Sequence, residues 1–159
     1  MSSFLAPCRS KTRSIVISII SLSHVSKDLP SSAGWLAYWQ LFVAGAAVFN
    51  SIQNLLTLKL TRKLYNNVPA TSVTALQART FAVWTLTSAV IRGYAAYNIN
   101  NKIIYDIALL SYLIAFGHFF SELLIFRTAK LFPGVISPVI VSTTSLVWMF
   151  TQYDFYVRG

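Results

Sequence analysis

The amino-acid sequence predicts an all-α fold: a polytopic membrane protein with about four transmembrane helices in a small antiparallel bundle. Three observations lead there. Hydrophobic residues make up 55% of the 159-residue chain and charged residues only 11%, whereas a soluble domain is about a quarter charged. The hydrophobic residues are gathered into four long runs, each near the length of about 20 residues that a helix needs to cross the hydrocarbon core. Aromatic residues lie near the ends of those runs (Trp35, Tyr38 and Trp39; Tyr94 and Tyr97; Tyr105; Tyr153 and Tyr156), where amphipathic rings favour the headgroup layer.

Residues 1–33 read as a separate leader or extension, disordered or lying on a surface. Arg9, Lys11 and Arg13 precede a short apolar run from Ile15 to Leu22, an order that resembles a signal sequence but is too short to span. The transmembrane domain is expected over 34–153. Its first span, 34–58, carries no charge, and its second, 80–101, carries only Arg92. The third, 103–126, holds Asp106, His118 and Glu122. The fourth, 137–153, is uncharged, and its start is set near Ser137 because Pro133, Gly134 and Pro138 break the run ahead of it. A short tail, 154–159, closes the chain. Helices suit this setting because only they satisfy their own backbone in lipid, and no segment alternates as a barrel strand does.

The turn between spans two and three, centred on Asn100, Asn101 and Lys102, is tight enough to force an antiparallel hairpin. The connection between spans one and two is longer and polar. Basic residues flanking the spans collect in the first and third loops (Lys59, Arg62, Lys63, Arg79, Arg127 and Lys130), so the positive-inside rule puts those loops in the cytoplasm and both termini in the lumen.

The net charge of +9 is distributed between apolar runs rather than clustered on one face, which argues against nucleic-acid binding. The single cysteine, Cys8, excludes an internal disulfide or a thiolate metal cage. No nucleophile elbow, phosphate loop or HExxH motif occurs. His118 and Glu122 stand at i and i+4 on one helix face. That pair has a functional reading, metal or acid–base chemistry, and a structural one, a polar contact between packed helices. A transition-metal site calls for about three protein ligands, and the second histidine, His24, lies in the leader. The sequence therefore predicts no catalytic residue, metal or cofactor.

The remaining polar residues within the runs are candidates for structural or interaction roles, since charge inside a membrane helix is costly and is paired or functional. Arg79 precedes the hairpin turn by about as many residues as Glu122 follows it, which predicts an Arg79–Glu122 ion pair. Arg92 and Asp106 differ in depth by roughly 6 Å, within the reach of an arginine, and form a second expected pair. Asn50, Gln53 and Asn54 make a polar stripe preceded by Ala44, Gly45, Ala46 and Ala47, a combination that suits close helix packing with hydrogen bonds across it. Gly117 has the same potential. The hydroxyls of Ser137, Ser142, Thr143, Thr144 and Ser145 are expected to bond back to their own helix rather than line a pathway.

Four stretches carry a family resemblance: FNSIQN (Phe49 to Asn54), LQARTFAVWTLTSAVIR (Leu76 to Arg92, with Gln77 and Trp84 in the pattern), NNKIIYDIAL (Asn100 to Leu109) and AFGHFFSELLIFRTAK (Ala115 to Lys130). Together they resemble the ergosterol biosynthetic protein 28 family over roughly Trp35 to Met149, in a fungal form; residues 1–30 do not match. The resemblance implies a non-catalytic scaffold of the endoplasmic-reticulum membrane that tethers the sterol C-4 demethylation enzymes. These are the C-4 methyl oxidase, the 3-dehydrogenase/C-4 decarboxylase and the 3-keto sterol reductase, with sterol C-24 methyltransferase as a further contact. Self-association is compatible with that role. The rival readings are a small lipid-modifying membrane enzyme using His118, Glu122 and Arg92, and a transporter subunit. The absence of an internal inverted repeat weighs against the transporter.

Overall fold

A computed structural model describes residues 29–30, 34–131 and 133–157, and the described residues from 34 onward form one compact unit. Apart from Leu29 and Pro30, the leader expected at 1–33 lies outside the described residues. The described chain is helical: α1 (Leu36–Leu56), α2 (Lys59–Leu64), a 3-10 turn (Ala70–Ser72), α3 (Ala75–Tyr97), α4 (Lys102–Leu124), α5 (Pro133–Thr151) and α6 (Tyr153–Val157).

The helix boundaries have local causes. Thr57 takes an extended conformation and ends α1. Thr74 and Gln77 form a capping box, each side chain bonding the other's backbone N–H, which starts α3 five residues ahead of the expected position 80 and draws Arg79 inside the helix. Asn101 accepts from the N–H groups of Ile103 and Ile104 at 3.0 and 3.3 Å and so starts α4 directly after the turn. The largest departure is α5, which begins at Pro133 rather than near Ser137 and carries Pro138 inside it. Pro133 suits the first helical position, where its missing N–H has no intrahelical partner to lose. Pro138 forfeits only one bond near the helix start. Residues 154–157 of the expected tail lie in α6, and 158 and 159 lie outside the described residues.

Only α4 and α5 meet a strict standard of length and apolarity for crossing a membrane among the described helices. Buried amides and the arginines lower the hydropathy of α1 and α3. All four long helices nevertheless expose large apolar side chains: Phe42, Phe49 and Leu56 on α1, Val83 and Val90 on α3, Ile103 and Ile114 on α4, Ile140 and Phe150 on α5. Within a mostly apolar interior they also bury Gln40, Ser51, Asn54, Ser88, Arg92, Ser111, Ser142 and Ser145. A water-soluble bundle presents charged and polar side chains on its outer face instead.

Contact is most extensive between α1 and α3, then between α4 and α5. Both helices of the first pair bury small residues, Ala44, Ala47 and Ser51 on α1 and Ala78, Ala82 and Ala89 on α3, a composition that suits close approach of the two backbones. One apolar cluster joins Leu36 and Ala37 at the start of α1 with Ala95 and Ile99, Tyr105 at the start of α4, and Met149 at the end of α5. A second joins Leu64, Phe119, Ala129 and Val135. Gly34 enters α1 with φ +112, and a Cβ there would lie 2.1 Å from the Tyr156 hydroxyl, so only glycine fits both its backbone and its space.

Candidate functional site

The central feature is a chain of polar side chains that crosses the bundle interior. On α4, Tyr112 donates its hydroxyl to Gln40 Oε1 of α1 at 2.8 Å. Gln40 is 0% exposed, and its Nε2 donates to Met149 Sδ of α5 at 3.1 Å. Tyr105 then donates to the Met149 carbonyl at 2.7 Å. On the other side of Tyr112, the guanidinium carbon of Arg92 on α3 lies 3.9 Å from its ring centroid, a cation–π contact. Helices α1, α3, α4 and α5 thus share one network. Trp39 Nε1 adds a further α1–α5 bond to Ser145 Oγ at 2.9 Å.

The two ion pairs expected from depth are not formed. Arg92 reaches Ser111 through Nε to Oγ at 3.4 Å and Nη2 to the carbonyl at 3.5 Å. Asp106 instead takes Lys102 Nζ at 2.6 Å and the Tyr153 hydroxyl at 2.8 Å, tying α6 to the rim of α4. Matching depth fixes height along a helix but not direction around it. Asp106 lies about 120° around α4 from Tyr112, whose face meets Arg92. Arg79 and Arg92 likewise point about 140° apart around α3: Arg92 is buried and Arg79 exposed. Glu122 accepts from Thr128 and lies 4.0 Å from His118 Nδ1.

His118 is a packing contact in this structure. Its Nε2 is 2.9 Å from the Tyr65 hydroxyl, and Trp84 and Phe119 meet its ring edge-on at 5.2 and 5.1 Å. Desolvation, with the Glu122 charge adding, pushes the Tyr65 phenol up to about 12. Among the described residues no three His, Cys, Asp or Glu side chains gather where they could hold a metal.

The polar stripe of α1 turns inward only in part. Asn54 donates to the Asn50 carbonyl and Oδ1, both at 2.9 Å, and accepts from Thr61 of α2 at 2.6 Å, so it pins α2 to α1. Gln53 contributes its carbonyl to the end of α1. Gln77 acts at the cap of α3. Gly117 is exposed with open space where a Cβ would sit, so no helix among the described residues packs against it. Ser142 and Thr143 bond back to the Val139 carbonyl, as expected, while Ser145 is used by Trp39. The polar residues missed at the sequence level are Gln40, Thr61, Tyr65 and Tyr112. Gln40 was open to discovery, as an amide within an otherwise apolar stretch.

A cavity of about 290 Å³ opens between α1, α2, α3, α4 and α5. Asn50, Asn54, Trp84 and Arg92 line it together with Lys63 and Tyr112. It therefore gathers four of the candidate residues and excludes Arg79, Asp106, His118 and Glu122.

Comparison with known proteins agrees with the sequence motifs. A family model described as Erg28 like protein matches residues 36–147. Ergosterol biosynthetic protein 28 of Saccharomyces cerevisiae is 51% identical over 124 residues, covering 77% of this chain and 83% of the yeast protein. The Candida albicans protein of the same name is 44% identical over 138 residues, covering 86% and 99% of the two chains. The Mus musculus homolog is 43% identical over 115 residues, covering 72% and 81%. No solved structure matches the chain. With most of its helical region matched by the family model and by relatives from fungi to mammals, the chain belongs to the Erg28 family.

Proposed function

We propose that this protein is a non-catalytic scaffold of sterol biosynthesis, a multi-pass protein of the endoplasmic-reticulum membrane whose four long helices run antiparallel through the bilayer. The observation that carries the reading is the apolar exterior: Phe42, Val83, Ile114 and Phe150 face out, while Gln40, Asn54 and Arg92 are held inside. Such a surface is suited to lipid and to the helices of other membrane proteins. The relatives' names tie the family to ergosterol biosynthesis. Its partners in this proposal are the C-4 methyl oxidase, the 3-dehydrogenase/C-4 decarboxylase and the 3-keto sterol reductase, with sterol C-24 methyltransferase alongside them. Tethering raises local concentration toward the millimolar range for short spans, so a reactive sterol intermediate is passed on before it diffuses through the bilayer.

The test is affinity isolation of the tagged protein in mild detergent, joined to sterol profiling of cells that lack it. Co-purification of the C-4 enzymes with accumulation of 4-methyl or 4-carboxy sterols is the expected result. Normal sterols without those partners would overturn it. An H118A variant separates the scaffold from a lipid-modifying enzyme: scaffolding predicts preserved sterol output, whereas catalysis through His118 predicts its loss with the complex still assembled.

A further inference from the structure

We propose that the interior cavity binds an anionic amphiphile, an apolar body ending in a carboxylate, with the acid seated on Arg92. The inference goes beyond tethering and stands on the cavity alone. Arg92 is only 7% exposed, yet no carboxylate lies within ion-pair distance of it among the described residues. Its two hydrogen bonds, both to Ser111, are at the long limit, 3.4 and 3.5 Å. A guanidinium has five N–H donors in a planar fork, so most of this one's capacity is unused. The Tyr112 ring face stabilises the charge, but one cation–π contact offsets only part of what burying an ion costs.

The rest of the lining matches such a ligand. No aspartate or glutamate borders the cavity, and besides Arg92 the charged side chain that does is another cation, Lys63, which is exposed. Asn50 accepts from Asn54, and its own amide N–H groups have no partner among the described residues. The remaining wall is largely apolar, with Val43, Leu64, Phe119 and Val141. The volume sits at the low end of the range of about 300–1,000 Å³ typical of small-molecule sites, which suits one apolar body rather than a two-chain phospholipid. A carboxylate engages a guanidinium through two parallel hydrogen bonds. A fatty acid and a sterol bearing a carboxyl both have this chemistry.

The test uses the full-length protein, purified in mild detergent and stripped of lipid. Three diazirine photoprobes are compared: a fatty acid, a steroid carboxylic acid and a neutral sterol alcohol. The acid that fits is expected to label cavity-lining peptides at least about ten-fold more than the alcohol, the scale of one charge-assisted contact. R92M is expected to abolish that preference while melting at the same temperature as wild type or higher, because an unpaired buried charge is removed; a purely structural arginine would lower it. S137W, which fills the cavity from an exposed position on α5, is expected to lose labelling by both acids. Labelling by the fatty acid alone or by the steroid acid alone supports the site and names its source. Equal labelling by acids and alcohol overturns the proposal, as does labelling outside the cavity helices. If R92M does not fold, S137W decides: retained acid labelling in that variant also overturns it.

Discussion

Replacing Tyr112 by Phe isolates one hydroxyl at the centre of the polar network. The ring under Arg92 stays, so the cation–π contact at 3.9 Å is kept. What is lost is the 2.8 Å bond to Gln40 Oε1, and the acceptor left behind is fully buried. Stranding a buried acceptor costs about 1–3 kcal/mol in soluble proteins, while hydrogen bonds between membrane helices average about 0.6 and reach about 1.7. An expected loss of about 1–2 kcal/mol follows. Gln40→Leu should cost at least as much, because it strands the Tyr112 hydroxyl and also removes the contact to Met149. In the double variant neither polar group remains to be stranded, so it should be more stable than the sum of the single losses predicts, by a coupling of about 1 kcal/mol. The assay is unfolding of the detergent-solubilised protein by increasing SDS, followed by circular dichroism. Additive losses would refute the reasoning, since they would mean that the two side chains do not bond to each other.

Other expectations follow from the same structure. The R79E and E122R changes should add without coupling, within about 0.5 kcal/mol, because Arg79 is exposed and Glu122 is engaged elsewhere; an SDS titration of the single and double variants reads this. G34A should destabilise by at least about 1–2 kcal/mol, because φ +112 disfavours any L side chain, visible as a lower melting temperature. Thr61→Val should cost about 1 kcal/mol and loosen α2 from α1, detected as faster proteolysis between α1 and α3. Tyr65 holds its proton to about pH 12, while an unfolded phenol loses it near pH 10. Stability from this group is therefore complete below about pH 10 and falls as pH rises from 10 to 12. The 295 nm absorbance difference between wild type and Y65F should titrate near 12; a midpoint near 10 would show the ring to be solvated.

The positions of the four long helices were legible in the sequence because apolar runs and a tight Asn-rich turn are one-dimensional signals. The start of α3 was also legible in principle, in Thr74 and Gln77, but a capping box in a polar connection is easily taken for loop. What could not be read was direction around each helix axis. Arg92 and Asp106 stand out in the sequence as charges within apolar runs, yet their partners depend on which face α3 turns to α4, and no pattern along the chain gives that. The cavity was hidden for the same reason. It is the space left where five helices fail to close, and no single segment encodes it.

The pairing of α1 with α3 and of α4 with α5 bears on how the chain is made. Each half can find its principal partner within itself as it leaves the ribosome, without waiting for the C-terminus. The two halves then need only dock, through Tyr112 on Gln40 and Trp39 on Ser145. Chains severed in the Asn98–Asn101 turn should accordingly reassemble when both pieces are synthesised together, because the cut leaves both principal pairings intact.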